Sequence, residues 1–306
     1  MINNVRNKIF DIKDYTKNFD YSAVPFCGEI FDNKVEVFFS VRDEKNRSAL
    51  MSFIFNLDDK EVEFFDSTVL ISHGELGAFD DSGVMGTDYI KQGEHEWIYY
   101  IGWNLGVTVP FRNSLGLAEK KENGKWEKLF PGPILDRTKN EPHFNASSCI
   151  INEGGIYKIW YLSCVKWVNV GSEIRHYYHI KYATSDNGID WDRDGIVAID
   201  FEDDAEYAIS VPRVIKINGE YHMWFSSRAT KDCDKYQIRH AVSNDGVNWN
   251  RSENPVLSSF GDCWESDMVC YPFILPYKNK LYMFYNGNDY GKSGIGLTEV
   301  ELEGGL

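Results

Sequence analysis

Apolar and polar residues alternate along this chain in short runs that break at two-residue turns, the period-2 pattern of half-buried strands, with no helical periodicity. The clearest case is VPRVIKINGEYHMWFSSR (211–228), two such runs joined by Asn218-Gly219, a strong hairpin signal. Its second strand has counterparts along the chain: VEVFFSV, WIYYIGW, YKIWYLS, YHMWFSS and LYMFYNG. Their adjacent aromatic pairs, Phe38-Phe39, Tyr99-Tyr100, Trp160-Tyr161, Trp224-Phe225 and Phe284-Tyr285, follow one another at 61, 61, 64 and 60 residues. The first strands, AVPFCGEIF, GVMGTDYIK, NASSCIINE, ISVPRVIKI and DMVCYPFIL, keep the same step.

A strand repeat of this length predicts an all-β, five-bladed β-propeller with four-stranded antiparallel blades. One domain spans 1–306, with blades near 20–75, 80–137, 141–201, 205–260 and 264–303. HYYHIKYATSD with WDRDGIVAID, and YQIRHAVSND with the run after Trp249, read as outer strand pairs. The turns SDNGIDW and SNDGVNW, echoed by ENGKW, read as structural Asx/Gly turns. The last unit stops after GIGLTEVEL, so residues 7–12 are expected to supply its outer strand and close the ring.

In a blade, the turns between first and second strands face the opposite rim from those between second and third. The former are minimal: Asp32-Asn33, Gly93-Glu94, Gly154-Gly155, Asn218-Gly219 and Lys278-Asn279. The latter, VRDEKNRS, GWNLGVTVPFRNS, CVKWVNVGSEIRHYY, SSRATKDCDKYQ and NGNDYGKSG, read as long and chemically varied loops, so function is expected on their rim.

Composition narrows the partners. A net charge of −15 argues against nucleic acid or an anionic membrane surface, and no apolar run approaches a membrane span. The N-terminus lacks the apolar core of a signal peptide, and the six cysteines show no CxxC, which suits reduced thiols and a cytoplasmic protein. The sequence requires no cofactor, shows no metal-ligand spacing, leaves an axial cation open, and leaves the oligomeric state unspecified. There is no GxSxG, P-loop, GxGxxG after a strand, or HExxH.

The starts of the first strands bring acids toward the functional rim: Asp20, Asp80-Asp81, Glu141 with His143, Glu206, and Trp264-Glu265 with Asp267. Several carboxylates in one cleft suit glycoside chemistry, one protonating the leaving oxygen and another activating water or attacking carbon. A solvated acidic ring is the plainer alternative. Asp81 and Glu206 are the preferred pair, with Glu265 and Asp267 next. Arg42, Arg47 and Arg228, at the ends of second strands, could bind hydroxyls, a carboxylate or a phosphate, or simply pair with nearby acids. Trp103 and Trp264 could wall a sugar ring, while Trp167 reads better as an indole packed under a loop. His143 reads better as a hydrogen-bonded loop histidine than as a ligand.

These features resemble the five-bladed propeller glycosidases: arabinanases, xylosidases, fructosidases, levansucrases and the mannoside phosphorylases. The chain most resembles uncharacterised glycosidase-like propellers encoded with bacterial surface-polysaccharide genes. FSVRDEKNRS (39–48), GAFDDSGVM (77–85), YYIGWN (99–104), the two Asx/Gly turns, YPFI (271–274) and YMFYNGN (282–288) carry the likeness. These motifs add Asp43, Asn104, Tyr271, Asn286 and Asn288 to the substrate-binding candidates. The resemblance implies cleavage or transfer at a glycosidic or activated-sugar bond, acting on a small sugar, nucleotide sugar or glycan. One departure stands out: arabinanase-type enzymes carry Asp-Pro in the first inner strand, where this chain has Val24-Pro25. A non-catalytic glycan-binding propeller is therefore the alternative, and a protein-interaction scaffold the third reading.

Overall fold

The structure is a computed structural model that describes residues 6–229 and 233–302. In chain order the strands are β1 (Asn7–Phe10), β2 (Asp20–Phe31), β3 (Lys34–Arg42), β4 (Ser48–Asn56), β5 (Glu61–Phe65), β6 (Gly83–Gln92) and β7 (His95–Leu105). There follow β8 (Phe111–Lys120), β9 (Trp126–Lys128), β10 (Asn145–Glu153), β11 (Ile156–Val170), β12 (Glu173–Ser185), β13 (Val197–Ile199) and β14 (Ala208–Ile217). The last are β15 (Glu220–Arg228), β16 (Gln237–Ser243), β17 (Asn250–Arg251), β18 (Cys270–Tyr277), β19 (Lys280–Asn286) and β20 (Ile295–Val300), with a short 3-10 turn (Ile12–Asp14) after β1 and a helical turn, α1 (Asn288–Gly291), before β20.

Pairing is antiparallel within each repeat: β2-β3-β4-β5, β6-β7-β8-β9, β10-β11-β12-β13 and β14-β15-β16-β17. Single parallel bridges, Ser48 to Gly83 and Tyr178 to Ala208, join these units two by two. β18-β19-β20 is completed by the N-terminal β1. The first strands pack in succession, β2 on β6, β10, β14 and β18, with β18 also against β2. This all-β arrangement is consistent with a propeller.

The turns between first and second strands have two residues. Gly154-Gly155, Asn218-Gly219 and Lys278-Asn279 have positive φ at both positions, as a type I′ turn requires. The outer strands are shorter than the apolar pattern suggests, because WDRDGIVAID contributes only β13 and the run after Trp249 only β17. CVKWVNVGSEIRHYY is not a loop. Its residues extend β11 and β12 into a hairpin arm that turns at Gly171, and Trp167 packs there on Phe111 and Phe144. Residues 230–232 of SSRATKDCDKYQ lie outside the described residues.

The adjacent aromatics point to opposite faces of the second strand, and each face has a job. On one face the Tyr99 hydroxyl donates to the Gly188 carbonyl at 2.9 Å, and the Trp160 indole to the Gly246 carbonyl at 2.7 Å. Those carbonyls belong to SDNGIDW and SNDGVNW, so each turn fastens its own unit to the one before. Ser185 and Asn187 in the first turn, and Ser243 and Asp245 in the second, hold the turns by accepting from backbone N–H groups.

Candidate functional site

The other face of each aromatic pair explains the repeating acids. Glu141 (4% exposed) accepts from the Tyr161 hydroxyl at 2.9 Å and faces Arg193 and Lys181 at 3.4 Å. Glu206 (1% exposed) is held by both terminal nitrogens of Arg251 at 2.9 and 2.8 Å, by the Glu202 N–H, and by Ser227. Asp80 pairs with Lys128 and accepts from the Tyr100 hydroxyl. Glu265 accepts from the Tyr285 hydroxyl at 2.7 Å with Arg6 at 3.8 Å, and burial raises its pKa. Acid, second-strand aromatic and a cation from the outer edge thus form a staple that ties the outermost segment to the unit.

The structure does not bring the four expected catalytic residues, Asp81, Glu206, Glu265 and Asp267, together in the lining of one cavity among the described residues. Asp80, Glu141, Glu206 and Glu265 are each buried against a cation, Glu206 with the Ser227 hydroxyl besides and the other three with a tyrosine hydroxyl, an arrangement that suits a structural staple. Asp81 accepts from the Gly77 N–H and Ser82 and holds the 77–82 turn. Asp267 pairs with Lys235 at 3.1 Å on the surface. Several substrate-binding candidates also lie outside the cavity lining. Asp43 and Arg47 pair with each other. Asn288 binds the backbone of Cys263, Asp267 and Met268. Asn286 is buried, and Trp264 packs on Tyr285 under Gly296. Asn104 pairs in register with Arg112, and His143 is partly buried outside the cavity lining.

Arg42, Trp103 and Tyr271, by contrast, converge on a cavity of about 460 Å³ between β2, β3, β6, β7 and β18. Tyr21, Met85, Ile101, Phe111 and Tyr290 complete much of its wall, and among the described residues no carboxylate lines it. Its size falls in the range of small-ligand sites, about 300–1,000 Å³. The Arg42 guanidinium lies 5.2 Å from the Trp103 ring and 5.7 Å from Tyr21, and burial lowers its pKa. The Trp103 indole donates to Ser48 at 2.7 Å. Behind Tyr290, Arg228 donates to that phenol at 2.7 Å and also to Tyr207, its guanidinium 4.8 Å from Tyr207 and 5.3 Å from Tyr236. Among the described residues neither Arg42 nor Arg228 has an Asp or Glu within 4 Å.

Backbone geometry aims the wall. Every first strand carries a register shift at the same level. Val24, Val211 and Tyr271, each just before a proline, adopt φ of +54°, +48° and +58°. That conformation is costly for such side chains, and it concentrates at functional sites. Polar groups of a neighbouring strand hold the exposed N–H groups: Asn286 for Val24, Ser147 for Val211 and Ser226 for Tyr271. The kink places Tyr271 in the cavity wall, and Tyr21 (φ +66°) reaches it from β2. Tyr21 and Tyr290 escaped the sequence reading because alternation alone points strand residues by parity; the X-Pro dipeptides inside first strands were the available signal.

Asp20 is the candidate acid nearest this wall. It precedes Tyr21, pairs in register with Arg42, and is partly exposed, with Lys292 at 4.0 Å. Among the described residues no group of three or more His, Cys, Asp or Glu is placed to hold a metal ion. No described helix is long and apolar enough to cross a membrane.

The fold is shared with solved glycoside hydrolases. A solved glycoside hydrolase superposes with a TM-score of 0.77 at 16% identity, over 98% of this chain and 92% of its own. A thermostable family-43 glycoside hydrolase gives 0.67 at 16%, over 100% and 93%. A structure from the GH130 family of mannoside phosphorylases, which contains glycoside hydrolases that target β-1,2 mannosidic linkages, gives 0.68 at 15%, over 92% and 84%. No protein-family model matches the chain. It is 33% identical over 283 residues to the uncharacterized protein Rv1502 of Mycobacterium tuberculosis, covering 92% of this chain and 93% of that one. It is 31% identical over 243 residues to a 1,2-beta-oligomannan phosphorylase of Thermoanaerobacter, covering 78% and 75%. The chain belongs to the family of these two proteins, and the relationship supports processing of a glycosidic bond.

Proposed function

We propose that the protein is a five-bladed propeller, closed by β1, that cleaves a glycosidic bond by phosphorolysis in the cavity of Arg42, Trp103 and Tyr271. The observation carrying this reading is a pair of arginines that, among the described residues, lack acid partners and stand beside an aromatic cavity lined by no carboxylate. Hydrolysis by two carboxylates needs both acids at the sugar. Phosphorolysis needs one acid and a bound phosphate, and guanidinium groups suit phosphate oxygens. A phosphate oxygen attacks the anomeric carbon, the glycosidic C–O bond breaks, and the departing oxygen takes a proton. Asp20 is assigned that proton donation, and Trp103 and Tyr271 the sugar faces. The 31%-identical oligomannan phosphorylase makes β-1,2-linked mannosides the first substrate to try. Six unpaired cysteines fit a cytoplasmic role, which we place in bacterial surface-glycan metabolism.

The test is incubation with β-1,2-manno-oligosaccharides and other glycans, with and without inorganic phosphate, monitoring sugar 1-phosphate. Phosphate-dependent release that Arg42→Ala and Asp20→Asn each reduce at least 100-fold is the expected result. Equal turnover without phosphate refutes phosphorolysis. Val24 before Pro25 and the carboxylate-free lining favour a second reading, glycan binding without turnover. Sugar binding with no product on any substrate decides for it.

A further inference from the structure

The hairpin arm carries positive charge that the cavity chemistry does not use. Lys166 on β11 lies 4.4 Å from the Tyr177 ring, and Arg175 on β12 lies 4.6 Å from Tyr207. Tyr207 is also the ring 4.8 Å from Arg228, so two guanidinium groups share one phenol. Tyr177 and Tyr207 stand 5.5 Å apart, and Arg228 reaches Tyr290 in the cavity wall. The cations therefore run as one ledge from the arm to the cavity.

The chain has 47 acidic and 32 basic residues, so a cation here would readily find a carboxylate if none were kept away. Among the described residues, neither Lys166 nor Arg175 has one within 4 Å, although Glu173 shares the strand face of Arg175. The acidic turn before Tyr207 is largely occupied elsewhere. Glu202 and Glu206 face Arg239 and Arg251, and Asp203 caps its own turn, leaving Asp204 exposed. Holding like charges together without a counter-ion is unfavourable, and an anionic ligand relieves it. The tyrosine faces are taken by the cations and Tyr207 is buried, so the ledge offers charge rather than rings for stacking. Bases of single-stranded nucleic acid need open aromatic faces. Sugars bearing acidic substituents need only the cations and the cavity wall.

We infer that the arm is a substrate subsite for an anionic glycan, with Lys166 and Arg175 binding carboxylate or phosphate groups on sugars beyond the one in the cavity. This rests on the cavity being the glycan site; it does not depend on phosphorolysis. The experiment measures binding by calorimetry at two salt concentrations. Probes are oligogalacturonides, phosphate-bearing mannan oligosaccharides, neutral β-1,2-manno-oligosaccharides of equal length, and a single-stranded DNA oligomer. Acidic oligosaccharides are expected to bind at least 10-fold more tightly than neutral ones. Lys166→Ala with Arg175→Ala should abolish that preference while changing neutral affinity less than 2-fold, and Arg175→Lys should restore part of it. The carboxylate and phosphate probes identify which group is recognised. Equal affinity for acidic and neutral glycans overturns the inference, as does a preference that survives the double variant. Tighter binding of the DNA overturns it in favour of nucleic acid. Acidic-glycan binding without phosphate-dependent turnover removes the proposed reaction and leaves this subsite standing.

Discussion

Glu206 is the residue on which the structural account can be tested most sharply. Its carboxylate has no exposed side-chain surface, and Arg251 holds it with two nitrogens while itself being only 15% exposed. Glu206→Gln removes the charge but keeps the shape, leaving the buried guanidinium only the half-exposed Glu202, 3.6 Å away, as a counter-ion. Breaking a buried pair from one side costs about 3–5 kcal/mol, a large share of the roughly 5–15 kcal/mol that holds a domain together. With about 2.1 cal/mol/K of unfolding entropy per residue over 306 residues, that loss lowers Tm by about 5–8 °C. Arg251→Met alone should cost a similar amount, and the double variant should cost much less than the two together, a coupling of about 2–3 kcal/mol. Calorimetry and urea denaturation read the cycle, while sugar binding read alongside should stay within 2-fold of wild type. Wild-type stability in Glu206→Gln combined with lost turnover would refute the staple and return Glu206 to catalysis.

Three further outcomes follow from the geometry. Trp103→Ala should weaken glycan binding at least 10-fold with Tm within a few degrees of wild type, because its ring lines the cavity while its indole makes one hydrogen bond, to Ser48; titration calorimetry checks it. Burial first, then the charge of Arg228 and the neighbouring His222 respectively, push the pKa values of His176 and His240 down to about 4. Between that value and the unfolded value near 6.5 the unfolded chain binds more protons, so stability is full above about pH 6.5 and falls as pH drops toward 4. The expected loss from pH 7.5 to 5 is about 2–4 kcal/mol by urea midpoint, and a flat profile would contradict it. Val211→Gly removes the side chain from a backbone held at φ +48°, so relief of about 1–2 kcal/mol of strain should offset lost packing and leave the urea midpoint nearly unchanged.

Much of the architecture was readable from alternation, from turn residues and from the spacing of the aromatic pairs, because these are local properties repeated in every unit. The surroundings of the acids were not readable in the same way. A carboxylate repeated at the start of each first strand looks like a converging site, yet its partner cation lies far along the chain: Lys128 for Asp80, Arg251 for Glu206, Arg6 for Glu265. Only the fold reveals that each cation arrives on the outermost segment of the same unit. Arg42, Trp103 and Tyr271 were legible as polar or aromatic groups at strand ends. Tyr21 and Tyr290 were not, since left-handed backbone at Tyr21 and within α1 turns them away from where simple alternation would send them.

The pairing of β1 with β20 has a consequence for how the molecule is made. Phe10 and Ile295, its partner in register, lie 285 residues apart in the chain, so a ribosome delivers them at different times. At about 5–20 residues per second, roughly a quarter of a minute to a minute separates them. For that interval the edge of β1 has no ladder to join, although Phe10 can already stack on Phe53 and Phe39 as the first unit forms. The aromatic contacts would hold the strand in place early, and its hydrogen bonds would wait until β20 has been made.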